Sequence, residues 1–123
     1  MTVSTPFTFR FLEQYGVPLR RIRAGERLFA QGETGDTMLL VLEGKIDVVV
    51  DGEKVSTVGL HGIVGEMALI DDAPRSATAI AASAGEVAVI DQATFKDLVR
   101  VDPSFALYVM GILARRIRAS NKA

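Results

Sequence analysis

The sequence predicts a mainly β domain with flanking helices. Between Leu19 and Ile90, short runs rich in β-branched residues alternate with turn residues, and glycine recurs at 25, 32, 35, 44, 52, 59, 62, 65 and 85. After Asp91 this pattern gives way to two helical stretches. Hydrophobic residues make up 49% of the 123 residues, enough for one domain with a modest core and too many for a disordered chain.

Residues 1–18 form the first segment. Phe7, Phe9, Phe11, Leu12 and Tyr15, bracketed by Pro6 and by Gly16-Val17-Pro18, suit a short helix packed on the domain. Strands are expected over Leu19–Arg23, Arg27–Ala30, Met38–Glu43, Lys45–Asp51, Glu53–Val58, Ala77–Ala82 and Glu86–Asp91, where apolar residues alternate or are β-branched. Glu43-Gly44-Lys45 and Asp51-Gly52 read as hairpin turns. Many short strands at this spacing imply a sandwich or barrel, and the two-sheet jelly roll is the solution that manages exposed edges. Asp91 is placed to cap a helix through Arg100. Asp102-Pro103 opens a second helix to about Ser120, with Phe105, Val109, Ile112 and Leu113 on one face.

Composition excludes several function classes. Fourteen Lys and Arg against fifteen Asp and Glu give a net charge of −1, with no electrostatic footprint for nucleic acid. The short basic runs Arg20-Arg21-Ile22-Arg23 and Arg115-Arg116-Ile117-Arg118 read as solvated edges. The absence of cysteine removes disulfides, thiolate metal sites and cysteine nucleophiles. One histidine, His61, in a glycine-flanked loop, supports neither metal catalysis of the cupin kind nor hydrolysis. No basic region precedes an apolar run at the N-terminus, and no run reaches membrane-spanning length, so a soluble cytoplasmic protein is expected.

The most informative stretch is Gly65-Glu66-Met67-Ala68-Leu69-Ile70-Asp71-Asp72-Ala73-Pro74-Arg75-Ser76-Ala77-Thr78. It sets a glycine and a carboxylate at the start of a short helix. A few residues later comes one arginine, rigidified by Pro74 and followed by a hydroxyl residue. The stretch resembles the phosphate-binding cassette of the cyclic nucleotide-binding domain family: Gly-Glu-x-Ala-Leu, a spacer, then Pro-Arg-(Ser/Ala/Thr)-Ala-Thr. The resemblance extends from about Leu19 to Ser120. It implies a cyclic nucleotide-binding domain over 19–123, with a β-roll to about 91 and C-terminal helices over about 91–120.

It also implies roles. Arg75 would meet the ring phosphate with its guanidinium fork, beside the backbone N–H groups of Ser76 and Ala77 and the amides of the helix starting near Glu66. Glu66 would accept the ribose 2′-hydroxyl. Gly65 would let the backbone approach the sugar, next to the main chain of Met67 and Ala68, while Leu69 would anchor the cassette to the core. Gln31-Gly32-Glu33-Thr34-Gly35-Asp36 resembles the family turn whose acidic residue pairs with the cassette arginine, so Asp36 is expected to hold Arg75. Gly44 matches the family's hairpin glycine. Val64 stands where the family often carries an aromatic residue. In related domains the last helix covers the base; here Arg116 continues the stripe of Phe105, Val109 and Ile112 and is the expected lid residue, able to stack on a purine.

The expected ligand is cAMP, with cGMP as the alternative because Ser76 carries a hydroxyl after the arginine. No other cofactor and no catalysis are expected. The expected function is a sensor that moves its C-terminal helices. The rival is a degenerate pocket serving as a protein-interaction module. The expected partners are the cyclic nucleotide and an effector protein or domain, with a homodimer through the C-terminal helix also open. Direct nucleic-acid binding, ion conduction, phosphoryl transfer and membrane insertion are not expected. The initial Met and short basic end favour a stand-alone module over a fragment.

Overall fold

The computed structural model describes Leu12 and Gln14–Ser120. Among the described residues, two four-stranded antiparallel sheets form a β-roll, and three helices interrupt or follow it. The elements are β1 (Leu19–Ile22), β2 (Arg27–Phe29), β3 (Thr37–Glu43), β4 (Ile46–Val50), β5 (Glu53–Val58), β6 (Ile63–Val64), α1 (Glu66–Asp71), β7 (Thr78–Ala81), β8 (Gly85–Asp91), α2 (Gln92–Val101) and α3 (Ser104–Ser120). Strand order is β1-β8-β3-β6 in one sheet and β2-β7-β4-β5 in the other. All seven expected strands form within a residue or two of their expected ends. The two-residue β6 was not foreseen, because so short a strand carries no period. The N-terminal segment lies mostly outside the described residues, including Phe7, Phe9 and Phe11. Within it, Leu12 and Gln14 have helical backbone, and Leu12 is fully buried.

The first sheet is buried on both faces, which explains the unbroken apolar run Met38-Leu39-Leu40-Val41-Leu42 in β3. Leu39 and Val41 face the second sheet and meet Ile46, Ala79, Ala81 and Val87. Met38 and Leu40 face the other way and join Leu12, Ile63, Leu69, Ile90, Leu98, Phe105, Val109 and Ile112. Successive residues of one strand thus serve two cores. The second core is what fixes the C-terminal helices to the roll. Phe95 of α2 and Phe105 of α3 contribute a tilted ring pair 5.6 Å apart.

Both helix starts follow from local chemistry. The Asp91 carboxylate accepts the Thr94 N–H at 2.7 Å, closing the first turn of α2. Asp102 accepts the Ser104 N–H at 3.1 Å at the start of α3. No helix among the described residues is long and apolar enough to cross a membrane.

The hydrogen bonds from Thr94 hold the Asp91 carboxyl below its ordinary value of 3.8. A carboxyl depressed on folding contributes stability that is complete above its ordinary value and is lost as the pH falls through the folded value. Asp91→Ala should therefore cost about 1 kcal/mol at neutral pH in urea unfolding. The gap to the unsubstituted protein should close as the pH drops below 3.8. A gap that persists unchanged at the acid end would contradict the cap.

Candidate functional site

Arg75 is the centre of the site. It is buried at 7% exposure, so its charge needs partners. Nη1 donates to the carbonyl of Thr37 at 2.6 Å and to that of Gly65 at 3.1 Å. Nη2 donates to Thr37 Oγ1 at 3.2 Å. The guanidinium lies over the Phe29 ring, 4.1 Å from its centroid. Burial pulls the Arg75 pKa down, and the charges of Asp36 and Glu33 oppose that fall. An arginine carries five N–H donors. Nε–H and one Nη2–H make no hydrogen bond among the described residues. These adjacent donors are the fork that a phosphate or carboxylate accepts.

Two glycines make room for this arrangement. Gly65 has φ 81°, and a Cβ there would stand 2.5 Å from Arg75 Nη1. Gly35 has an ordinary φ, but a Cβ there would stand 2.3 Å from Nε. Gly65 thus makes room for the arginine. The holder expected from sequence was Asp36, yet among the described residues no ion pair or hydrogen bond joins Asp36 to Arg75. The direct contacts come instead from Thr37, one residue on, and from Gly65 and Phe29. Asp36 acts on the guanidinium through space. Backbone hydrogen bonds also bind the cassette to the β2–β3 turn: Arg75 N–H donates to Glu33 O at 2.8 Å, and Gly32 N–H to Arg75 O at 2.8 Å.

Glu66 opens α1 and is buried at 7% exposure. One of its carboxylate oxygens accepts from Arg116 Nη1, and Arg116 Nη2 donates to the carbonyl of Ile63 at 2.6 Å. Arg116 lies three turns beyond Phe105, on the face that Phe105, Val109 and Ile112 bury against the roll. In this structure it rests on the cassette carboxylate. Leu69, at 3% exposure, anchors α1 in the core. Gln92 Nε2 donates to the Leu69 carbonyl at 3.3 Å and ties α2 to α1. Tyr108 is half-buried and donates to the carbonyl of His61. His61 has a left-handed φ of 65°, and burial lowers its pKa.

These side chains surround one cavity of about 360 Å³. Gly65, Glu66, Met67, Ala68, Arg75, Ser76, Ala77 and Arg116 all line it, as does Val64. Met67 is largely exposed, and Val64 is buried. The rest of the lining, Phe29, Val48, Val50, Ser56, Val58, Ile63, Thr78 and Ala79, was not foreseen from the sequence. Alternation of Val48 and Val50 in β4 was the available signal, but alternation alone does not say which face meets a ligand. Among the described residues, no group of three or more His, Cys, Asp or Glu is arranged to hold a metal ion. The cavity therefore offers an arginine fork, a buried carboxylate and an apolar wall, the complement of a small anion with a hydroxyl and a flat apolar part.

Comparison with known proteins gives the same grouping. The sequence profile of the cyclic nucleotide-binding domain matches residues 19–102, more than half of the chain. A cAMP-dependent protein kinase regulatory subunit from Yarrowia lipolytica is 33% identical over 79 residues, 64% of this chain and 21% of that protein. A cGMP-dependent protein kinase from Toxoplasma gondii is 28% identical over 102 residues, 76% of this chain and 10% of that protein. The chain thus spans about a fifth or less of these relatives. The Thermus thermophilus catabolite activator protein superposes with a TM-score of 0.79 at 28% identity, over 91% of this chain and 55% of that one. With a β-roll, a cassette arginine and a profile match in register with both, the chain belongs to the cyclic nucleotide-binding domain family.

Proposed function

We propose that this chain reversibly binds a 3′,5′-cyclic nucleotide, cAMP before cGMP, and passes occupancy to its C-terminal helices without catalysing a reaction. The observation that carries the reading is the meeting of Arg75, Glu66 and Arg116 at one cavity, with Glu66 joined to α3. The Arg75 fork takes the ring phosphate, with the Ser76 and Ala77 amides beside it. Glu66 takes the ribose 2′-hydroxyl through the oxygen that Arg116 leaves unused. The base lies against the valine wall. Ser76 is exposed, and its hydroxyl makes no hydrogen bond among the described residues, so it can also serve the amino group of a guanine. That supports cGMP as a second ligand. Asp36 supports the site through its charge and Val64 through packing at the cavity wall. The proposed setting is the cytoplasm, with an effector protein or domain downstream.

The coupling runs through Arg116. A ligand shifts a conformational equilibrium only by its unequal affinity for the two states. Glu66 is shared between ribose and α3, so the ligand's hold on Glu66 differs with the position of α3. A second feature bears on the partner. Leu107, Met110 and Ile117 are 65%, 54% and 60% exposed, and with Ala114 they recur at spacings of three and four residues on the side of α3 away from the roll. That is the spacing of a coiled-coil seam, and it supports a homodimer through α3.

Arg75→Ala should weaken binding of a fluorescent cAMP analogue by at least about tenfold in a competition assay, the effect of losing a desolvated charge-assisted pair. Unchanged affinity would remove the cassette assignment. Arg116→Ala should weaken binding less and should blunt ligand-induced chemical-shift changes in α2 and α3. Identical shifts in both proteins would deny Arg116 the coupling role. Light scattering should give twice the mass of the chain, and Met110→Glu should return the monomer. A monomer at every concentration would count against the α3 dimer.

A further inference from the structure

The β4–β5 hairpin outruns its sheet. β7 pairs with β4 from Ala81 opposite Ile46 to Thr78 opposite Val49, and β5 is the outer strand, paired with β4. Val50 and the turn Asp51-Gly52 thus extend past the last rung of β7. Both turn residues have positive φ, 51° and 82°, as in the two-residue type I′ connection, and they join Val50 to Glu53. A hairpin supported by its own two strands is marginal in water. Yet Val50 lines the cavity together with Arg75 and Ser76, so the tip bears on the shape of the site.

The amide of Gln31 reaches this tip from outside the hairpin. Gln31 lies two residues beyond β2, and its side chain binds Asp51 twice. Nε2 donates to Asp51 Oδ1 at 3.1 Å, and Oε1 accepts the Asp51 N–H at 2.9 Å. The backbone around Gln31 is committed to the cassette. Gln31 N–H donates to Thr78 Oγ1 at 2.9 Å, and the next residue, Gly32, donates its N–H to the carbonyl of Arg75 at 2.8 Å. A chain of hydrogen bonds therefore runs from Arg75 through Gly32 and Gln31 to Asp51, the neighbour of Val50. Its ends are the cassette arginine and the valine wall. Both side-chain bonds lie at the surface, so the clamp can be changed without opening the core.

We infer that Gln31 is a positioning residue: its amide clamps the tip of the β4–β5 hairpin to the cassette and so holds the valine wall at a set distance from Arg75. This rests on the binding reading above, in which the phosphate lies at Arg75 and the base on that wall. A ligand that spans both must find them at the right separation. A clamp that fixes the separation beforehand spares the ligand the cost of ordering the hairpin. A ligand with the sugar and phosphate but no base gains nothing from it. The clamp also has a polarity, since Gln31 supplies the side-chain donor and Asp51 the acceptor. Gln31→Glu alone sets two carboxylates face to face and breaks the pair. Adding Asp51→Asn keeps both bonds, with the side-chain donor and acceptor exchanged, in a turn whose Asn-Gly sequence favours type I′.

The test compares the unsubstituted protein, Gln31→Ala, Gln31→Glu and the pair Gln31→Glu with Asp51→Asn. Affinities for cAMP and for methyl riboside 3′,5′-cyclic phosphate, which lacks a base, are read by competition against a fluorescent cAMP analogue. Exchange of the Asp51 amide is read by NMR without ligand. Gln31→Ala and Gln31→Glu should each weaken cAMP by about two- to tenfold, the range for one or two surface hydrogen bonds, and leave the base-free ligand unchanged. The same variants should speed exchange of the Asp51 amide by a similar factor, and the pair should restore both readouts. Unchanged cAMP affinity in Gln31→Ala would overturn the inference. So would an equal loss with both ligands, which would mark Gln31 as merely structural, or a pair no better than Gln31→Glu alone. No binding of cAMP by the unsubstituted protein would instead refute the binding reading. The exchange measurement needs no ligand, and an unchanged rate there would refute the clamp by itself.

Discussion

The site depends on one buried cation. Arg75 is enclosed by two carbonyls, a hydroxyl, a ring face and the backbone of Gly35. A buried guanidinium left unpaired would be strongly unfavourable, so each of these partners is needed to keep it in place. Together they tie the end of β2, the start of β3 and the turn before α1 to the loop before β7. Its committed donors hold the loops, and two N–H donors remain for the anion proposed above. Preorganisation of this kind reduces what binding must spend on ordering the receptor.

The carboxylate of Glu66 extends the same logic to the helices. It is buried beside the cavity and joined to Arg116 on α3. The α3 helix is otherwise fixed by Phe105, Val109 and Ile112 in a core that it shares with Leu69 of α1. The cassette helix and the last helix thus meet twice, once through apolar packing and once through an ion pair. The ion pair is the contact through which the proposed ligand would act. Apolar packing supplies the rest of the adhesion.

Much of this was legible in the sequence because it is local. Strands, hairpin glycines and helix caps each follow from a few adjacent residues, and the cassette from fourteen consecutive ones. Non-local features were legible only in part. Arg116 was found because helical periodicity carries it onto the face of Phe105. Its contact with Glu66 was not foreseen, since fifty residues separate them. Asp36 was expected to hold Arg75, but Thr37 does so directly, because a one-residue difference in a turn decides which group points inward. The valine wall was missed likewise, since sequence cannot say which of two buried faces carries a cavity.

Every ligand role proposed for these residues requires that the cavity receive a cyclic nucleotide. The most direct measurement is calorimetric titration of the unsubstituted protein, stripped of ligand by unfolding and refolding, with cAMP and then cGMP. One site per chain with submicromolar to micromolar affinity for either is the predicted result. No heat, together with no thermal stabilisation by either, would contradict it and would leave a fold retained for protein contacts.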